Sequence, residues 1–166
     1  MNRFFTSLIL LLATLFAEHS LAASFSDEAK AKHACLGQTS LPESISPMLT
    51  KSVPKAYAGW NGLYAGEWKG SGKPLCHVLV IMSIDEKGEA KVLYSTPSRT
   101  PNSIEYGTFD ATISKKEGGL QTLELVLRNG IKASYAKTDQ DPALKARYGD
   151  YAMGTLKPVV LTVTED

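Results

Sequence analysis

Between Trp60 and Lys157 the chain never settles into a helical period. Its side chains alternate by twos, and turn-forming residues cut the alternation at short intervals. Trp60, Gly62, Tyr64, Gly66, Trp68 and Gly70 share one parity, and Leu63, Ala65, Glu67 and Lys69 the other. A period of two puts successive side chains on opposite faces of a strand. Glycines interleaved with aromatics on one face suit a strongly coiled strand, because glycine relieves crowding between large neighbours. Residues 75–84 are apolar on both parities and read as a strand covered on both faces, turned by Asp85-Glu86-Lys87-Gly88. Residues 89–95 alternate again, with Ala90, Val92 and Tyr94 on the expected inner face.

Further strands are expected over 104–114, 122–127, 131–135 and 144–148, and from 151 to the residues before Pro158. Asn129-Gly130 is the strongest hairpin signal and predicts a two-residue type I′ turn with positive φ at both positions. Residues 138–142 read as a polar loop. The count comes to about eight short strands in up-and-down order, with no helical segment between them. An open meander of this kind exposes two edges, and closing the sheet on itself removes them. The expected fold is therefore all-β, an antiparallel up-and-down barrel, with a β-sandwich as the alternative. Eight strands enclose an interior that side chains fill or that holds one small ligand.

The residues ahead of the barrel carry different signals. Arg3 followed by an apolar run through Ala17, with Ser20-Leu21-Ala22 at its end, predicts a signal peptide over residues 1–22. Export follows as an expectation, to the periplasm if the source is Gram-negative, with no membrane span after cleavage. Ser26-Asp27-Glu28 and the residues after them read as a short helix stopped at Gly37. Pro42, Pro47 and Pro54 mark an extended connector draped over the domain. The expected organisation is thus a signal peptide, an N-terminal helix and connector over 23–56, and a barrel domain over 57–166. Cys35 and Cys76 are the only cysteines, and an exporting route permits a bridge between them. Such a bridge would stabilise the fold by roughly 4 kcal/mol on the chain-entropy account. Two unpaired thiols are the alternative.

Gly66-Glu67-Trp68 is similar to the Gly-x-Trp signature of lipocalin-like and avidin-like (calycin) barrels, and residues 57–157 resemble small secreted bacterial barrels of that kind. The resemblance implies a structural Gly66 and a Trp68 at the closed barrel end, packed beneath an arginine from a late strand. Arg147 is the expected partner and Arg128 the second choice.

Charge and motifs narrow the function. Eighteen Lys and Arg balance seventeen Asp and Glu, without the basic excess of an electrostatic nucleic-acid binder. Ser52-x-x-Lys55 and Ser134-x-x-Lys137 fit a serine–lysine pattern, but two matches are what this Ser and Lys content supplies by chance. Pro54 opposes a helix at the first, and a strand would split the second across two faces. Gly70-Ser71-Gly72-Lys73 lacks a following helix and reads as a hairpin turn rather than a phosphate loop. His77, in an apolar strand, reads as a core or edge histidine. Neither a metal, a cofactor nor a catalytic set is called for. Tyr64, Trp68, Tyr94 and Tyr135 share the inward parity and are the candidate ligand-lining residues. The expected function is an exported, non-enzymatic binding barrel for a small apolar or aromatic molecule. The alternatives are an envelope module that binds or inhibits a protein through a filled barrel, and a hydrolase with an unrecognised site.

Overall fold

A computed structural model of the chain describes residues 33–39, 41–42, 45, 47–48, 52–70, 72–97 and 106–160. The expected signal peptide and most of the expected helix after Ser26 lie outside the described residues. Eight strands follow one another: β1 (Leu63–Lys69), β2 (Leu75–Ile84), β3 (Glu89–Ser95), β4 (Tyr106–Lys115), β5 (Gln121–Val126), β6 (Lys132–Thr138), β7 (Asp141–Tyr148) and β8 (Ala152–Pro158). Each pairs antiparallel with the next, and β8 returns to pair with β1, closing an up-and-down barrel. Closure satisfies both edges that the meander would otherwise leave unpaired.

One parity of every strand fills the interior: Tyr64 and Trp68 from β1, Leu79 and Ile81 from β2, Val92 and Tyr94 from β3, and on around to Leu144 and Leu156. A bulge between Ile81 and Ser83 inserts one residue, so Ile81 and Ile84 both turn inward although three positions separate them. On the outer face an apolar patch lies over β1 to β3, where Leu63, Ala65, Cys76, Val78, Val80 and Leu93 are buried beneath Cys35, Leu36 and Ile45. The double-sided apolar character of β2 has this cause: its inner residues meet the barrel core and its outer residues meet the N-terminal segment. A disulfide, Cys35–Cys76, fastens that segment with its Cα atoms 5.1 Å apart. The connector adds a backbone bond from the Met48 N–H to the Ile81 carbonyl, 2.8 Å.

Local differences from the sequence reading have simple causes. The described end of the expected helix is one 3-10 turn, Ala34–Gly37. Residues 138–142 are mostly strand: β6 runs to Thr138 and β7 starts at Asp141, leaving only Asp139 and Gln140 to turn. Pro142, which has no N–H to give, is accommodated near the strand start, where the β6–β7 register shifts. At Asn129-Gly130 the Leu127 N–H donates to Ile131 O (2.9 Å) and the Gly130 N–H to Leu127 O (2.8 Å). Those bonds frame a three-residue loop, Arg128 to Gly130, in which Gly130 takes φ +79°. This is a turn followed by a left-handed residue, not a two-residue type I′ turn.

A candidate ligand pocket at the open end of the barrel

The two ends of the barrel are built differently. At one end a 3-10 turn, Lys55–Tyr57, leads into Trp60, which is fully buried and acts as a plug. Its Nε1–H donates to Gln121 Oε1 at 2.5 Å, and its ring meets Tyr64 edge-on at 6.2 Å. Tyr64 belongs to this end: its hydroxyl donates to the Gly59 carbonyl and accepts from the Asn61 N–H, and burial pushes it up to about 12. Lys137 is buried beside Gly59, and desolvation pulls its ammonium down, with Asp139 and Asp141 acting in the other direction. Ser134 sits on the opposite face of β6, so the second serine–lysine pattern is split as the strand reading requires.

At the other end lies a cavity of about 580 Å³, within the range of small-molecule sites. Trp68, Tyr94, Phe109 and Tyr148 supply its aromatic wall, Leu75 and Leu127 its aliphatic part, and Lys73 and Arg128 its cationic groups. Topology brings them together. The odd-numbered connections of a meander share one end, so the β1–β2 turn carrying Lys73 and the β5–β6 turn carrying Arg128 meet above the Trp68 end of β1.

Trp68 forms the floor. Its Nε1–H donates to the Tyr94 hydroxyl at 3.0 Å, and its ring stacks on His77 at 4.0 Å and 7°. Glycines make this possible. Gly66 faces His77 across β1–β2, and Gly154 faces Trp68 across β1–β8. A Cβ on Gly66 would fall on the Thr155 carbonyl, and one on Gly154 would stand 3.2 Å from the Trp68 ring. The missing side chains let β8 approach closely and leave the indole room to lie flat. Gly66 is thus structural, for a reason its Gly-x-Trp context does not itself supply.

Beneath the floor, His77 and Tyr135 have no solvent exposure. Neither imidazole nitrogen of His77 nor the Tyr135 hydroxyl has a hydrogen-bond partner. Burial alone lowers the His77 pKa to about 3, and burial followed by the nearby Tyr94 raises that of Tyr135 well above normal.

Of the four candidate lining residues, the structure places Trp68 and Tyr94 on the cavity, Tyr135 under its floor and Tyr64 at the opposite, plugged end. Arg147 does not reach Trp68. It lies on the outward parity of β7, where its Nε–H donates to Gly149 O (2.9 Å) and its Nη2 pairs with Asp150 (2.5 Å). The aromatic partners of Trp68 are His77, Tyr135 and Tyr148, and the tryptophan at the plugged end is Trp60. The sequence reading also passed over Phe109 and Lys73 as lining residues. Phe109 shares parity with Ala111 and Ile113, and Lys73 lies in an odd-numbered turn, so both signals were present.

Among the described residues no helix is long and apolar enough to cross a membrane. Comparison with protein-family models, curated proteins and solved structures finds no match to this chain.

Proposed function

We propose that the protein is an exported binding barrel that holds a small, largely apolar molecule in the cavity above Trp68. One observation carries this reading: the cavity is open at one end, while the interior below it is packed with aromatic and aliphatic side chains and stopped by Trp60. A barrel built only as a filled scaffold has no need to keep a cavity of about 580 Å³ beside an aromatic floor. The disulfide supports export, since such bonds persist in oxidising compartments. Kinship with calycin barrels belongs to the same proposal and is supported by the closed eight-stranded meander.

The test is titration with N-phenyl-1-naphthylamine, a neutral two-ring probe whose emission rises in apolar surroundings. One site per chain is expected, with quenching of the Trp68 emission. Ala152→Phe, which projects a ring into the cavity from β8, should remove that binding without lowering the melting temperature appreciably. Equal binding by the wild type and Ala152→Phe would remove the cavity as the site.

A further inference from the structure

The charge around the cavity specifies more than an apolar guest. Lys73 and Arg128 sit on its rim, and no carboxylate is among the described residues that line it. Among the described residues neither cation is met by a carboxylate, whereas Lys91, Lys132, Lys145 and Arg147 each pair with an acid on the outer wall. What distinguishes the opening is that its two cations share one cavity whose described lining holds no acid to offset them. The guanidinium of Arg128 lies over Gly107, where a Cβ would stand 3.1 Å from Nη2 and from the Phe109 ring. Glycine at 107 gives the arginine head access to the inner edge of the rim beside Phe109.

From this juxtaposition we infer that the ligand is an anion with a flat aromatic body, its rings on Trp68, Tyr94 and Phe109 and its carboxylate or sulfonate on Arg128 and Lys73. The inference rests on the binding-barrel reading and refines it. A planar guanidinium presents a fork that matches a carboxylate, and the ammonium adds a mobile second charge. Flat rings suit the floor because Trp68 already lies parallel to the ring beneath it, so a guest ring on its upper side would extend the same stack.

The experiment uses two probes with the same rings and different charge, 8-anilinonaphthalene-1-sulfonate and neutral N-phenyl-1-naphthylamine. The sulfonate should bind about tenfold more tightly, and the advantage should shrink to about twofold in the Arg128→Gln/Lys73→Gln double variant and in high salt. In the double variant the sulfonate should lose several-fold more affinity than the neutral probe, and high salt should weaken the sulfonate alone. Both changed side chains are exposed, and unchanged melting temperatures would verify that the variants fold. Displacement of the sulfonate should be stronger with 1-naphthoate than with decanoate, which has the same charge and no ring. Equal affinities for the two probes, or an advantage that survives the double variant, would overturn the charged part of the inference while leaving the cavity reading intact. Stronger displacement by decanoate would overturn the aromatic part. Failure of Ala152→Phe to weaken either probe would instead remove the cavity reading itself.

Discussion

His77 is a titratable ring placed where its charged form has no support. It is wholly enclosed, neither nitrogen finds a partner, and Trp68 covers one face at 4.0 Å. Burial therefore holds it neutral and lowers its pKa to about 3, against 6.5 when exposed. Below pH 6.5 the unfolded chain takes up a proton that the folded chain refuses. The stability is thus full above pH 6.5 and is lost as pH falls from there toward 3. At about 1.4 kcal/mol per pH unit, the loss reaches about 2 kcal/mol by pH 5. His77→Phe keeps an aromatic ring against Trp68 and removes the titration. Melting temperatures between pH 7 and 4.5 should consequently fall less steeply in the variant than in the wild type. Parallel slopes would mean that His77 takes up its proton without unfolding the barrel.

Among the elements, the N-terminal segment and the hairpins depend on different forces. Cys35, Leu36 and Ile45 cover an apolar patch of β1 to β3, and the disulfide constrains that segment in the unfolded chain as well. Reduction should cost roughly 4 kcal/mol in urea unfolding on the chain-entropy account. Thiol titration of the unfolded, unreduced protein should find no free thiol; two would contradict the bridge. The β5–β6 turn relies instead on one backbone angle. A Cβ on Gly130 would meet nothing within 4 Å, so Gly130→Ala has only its φ of +79° to overcome. The expected cost is about 1 kcal/mol, measured by denaturant midpoint. Strand existence and inner parity were legible because burial on one face enforces a period of two. The turn type was not, because Asn-Gly suits both a two-residue and a three-residue loop, and the choice lies in which residues pair across it. The cover over β2 was legible as apolar character on both parities, and the expected bridge from Cys35 to Cys76 pointed to the N-terminal segment as its source.

At the scale of the whole molecule, the barrel is a tube with one stopped end and one open end, and each end has its own tryptophan. The sequence resemblance assigned the closed end to Trp68, since a two-residue motif carries no information about which end of a strand its tryptophan occupies. Arg147 was misplaced for a related reason: Tyr148 and Ala146 hold the inward parity of β7, which leaves Arg147 outside with Asp150. Trp60 and Trp68 share neither a ring contact nor a hydrogen-bond partner, because Trp60 engages Tyr64 and Gln121 while Trp68 engages His77, Tyr94, Tyr135 and Tyr148. Their contributions to stability should then add. Trp60→Phe removes the indole N–H from a buried Gln121 and should cost about 1 to 3 kcal/mol. Trp68→Phe removes the bond to Tyr94 and part of the cover on His77, and a similar cost is expected. The double variant should equal the sum within about 0.5 kcal/mol in urea unfolding. Binding should separate the two ends sharply: Trp68→Phe weakens N-phenyl-1-naphthylamine several-fold, whereas Trp60→Phe leaves its affinity unchanged. A coupling energy above about 1 kcal/mol would show that the packed interior transmits strain along the barrel. Loss of probe affinity in Trp60→Phe would show that the plug, and not only the open end, shapes the cavity.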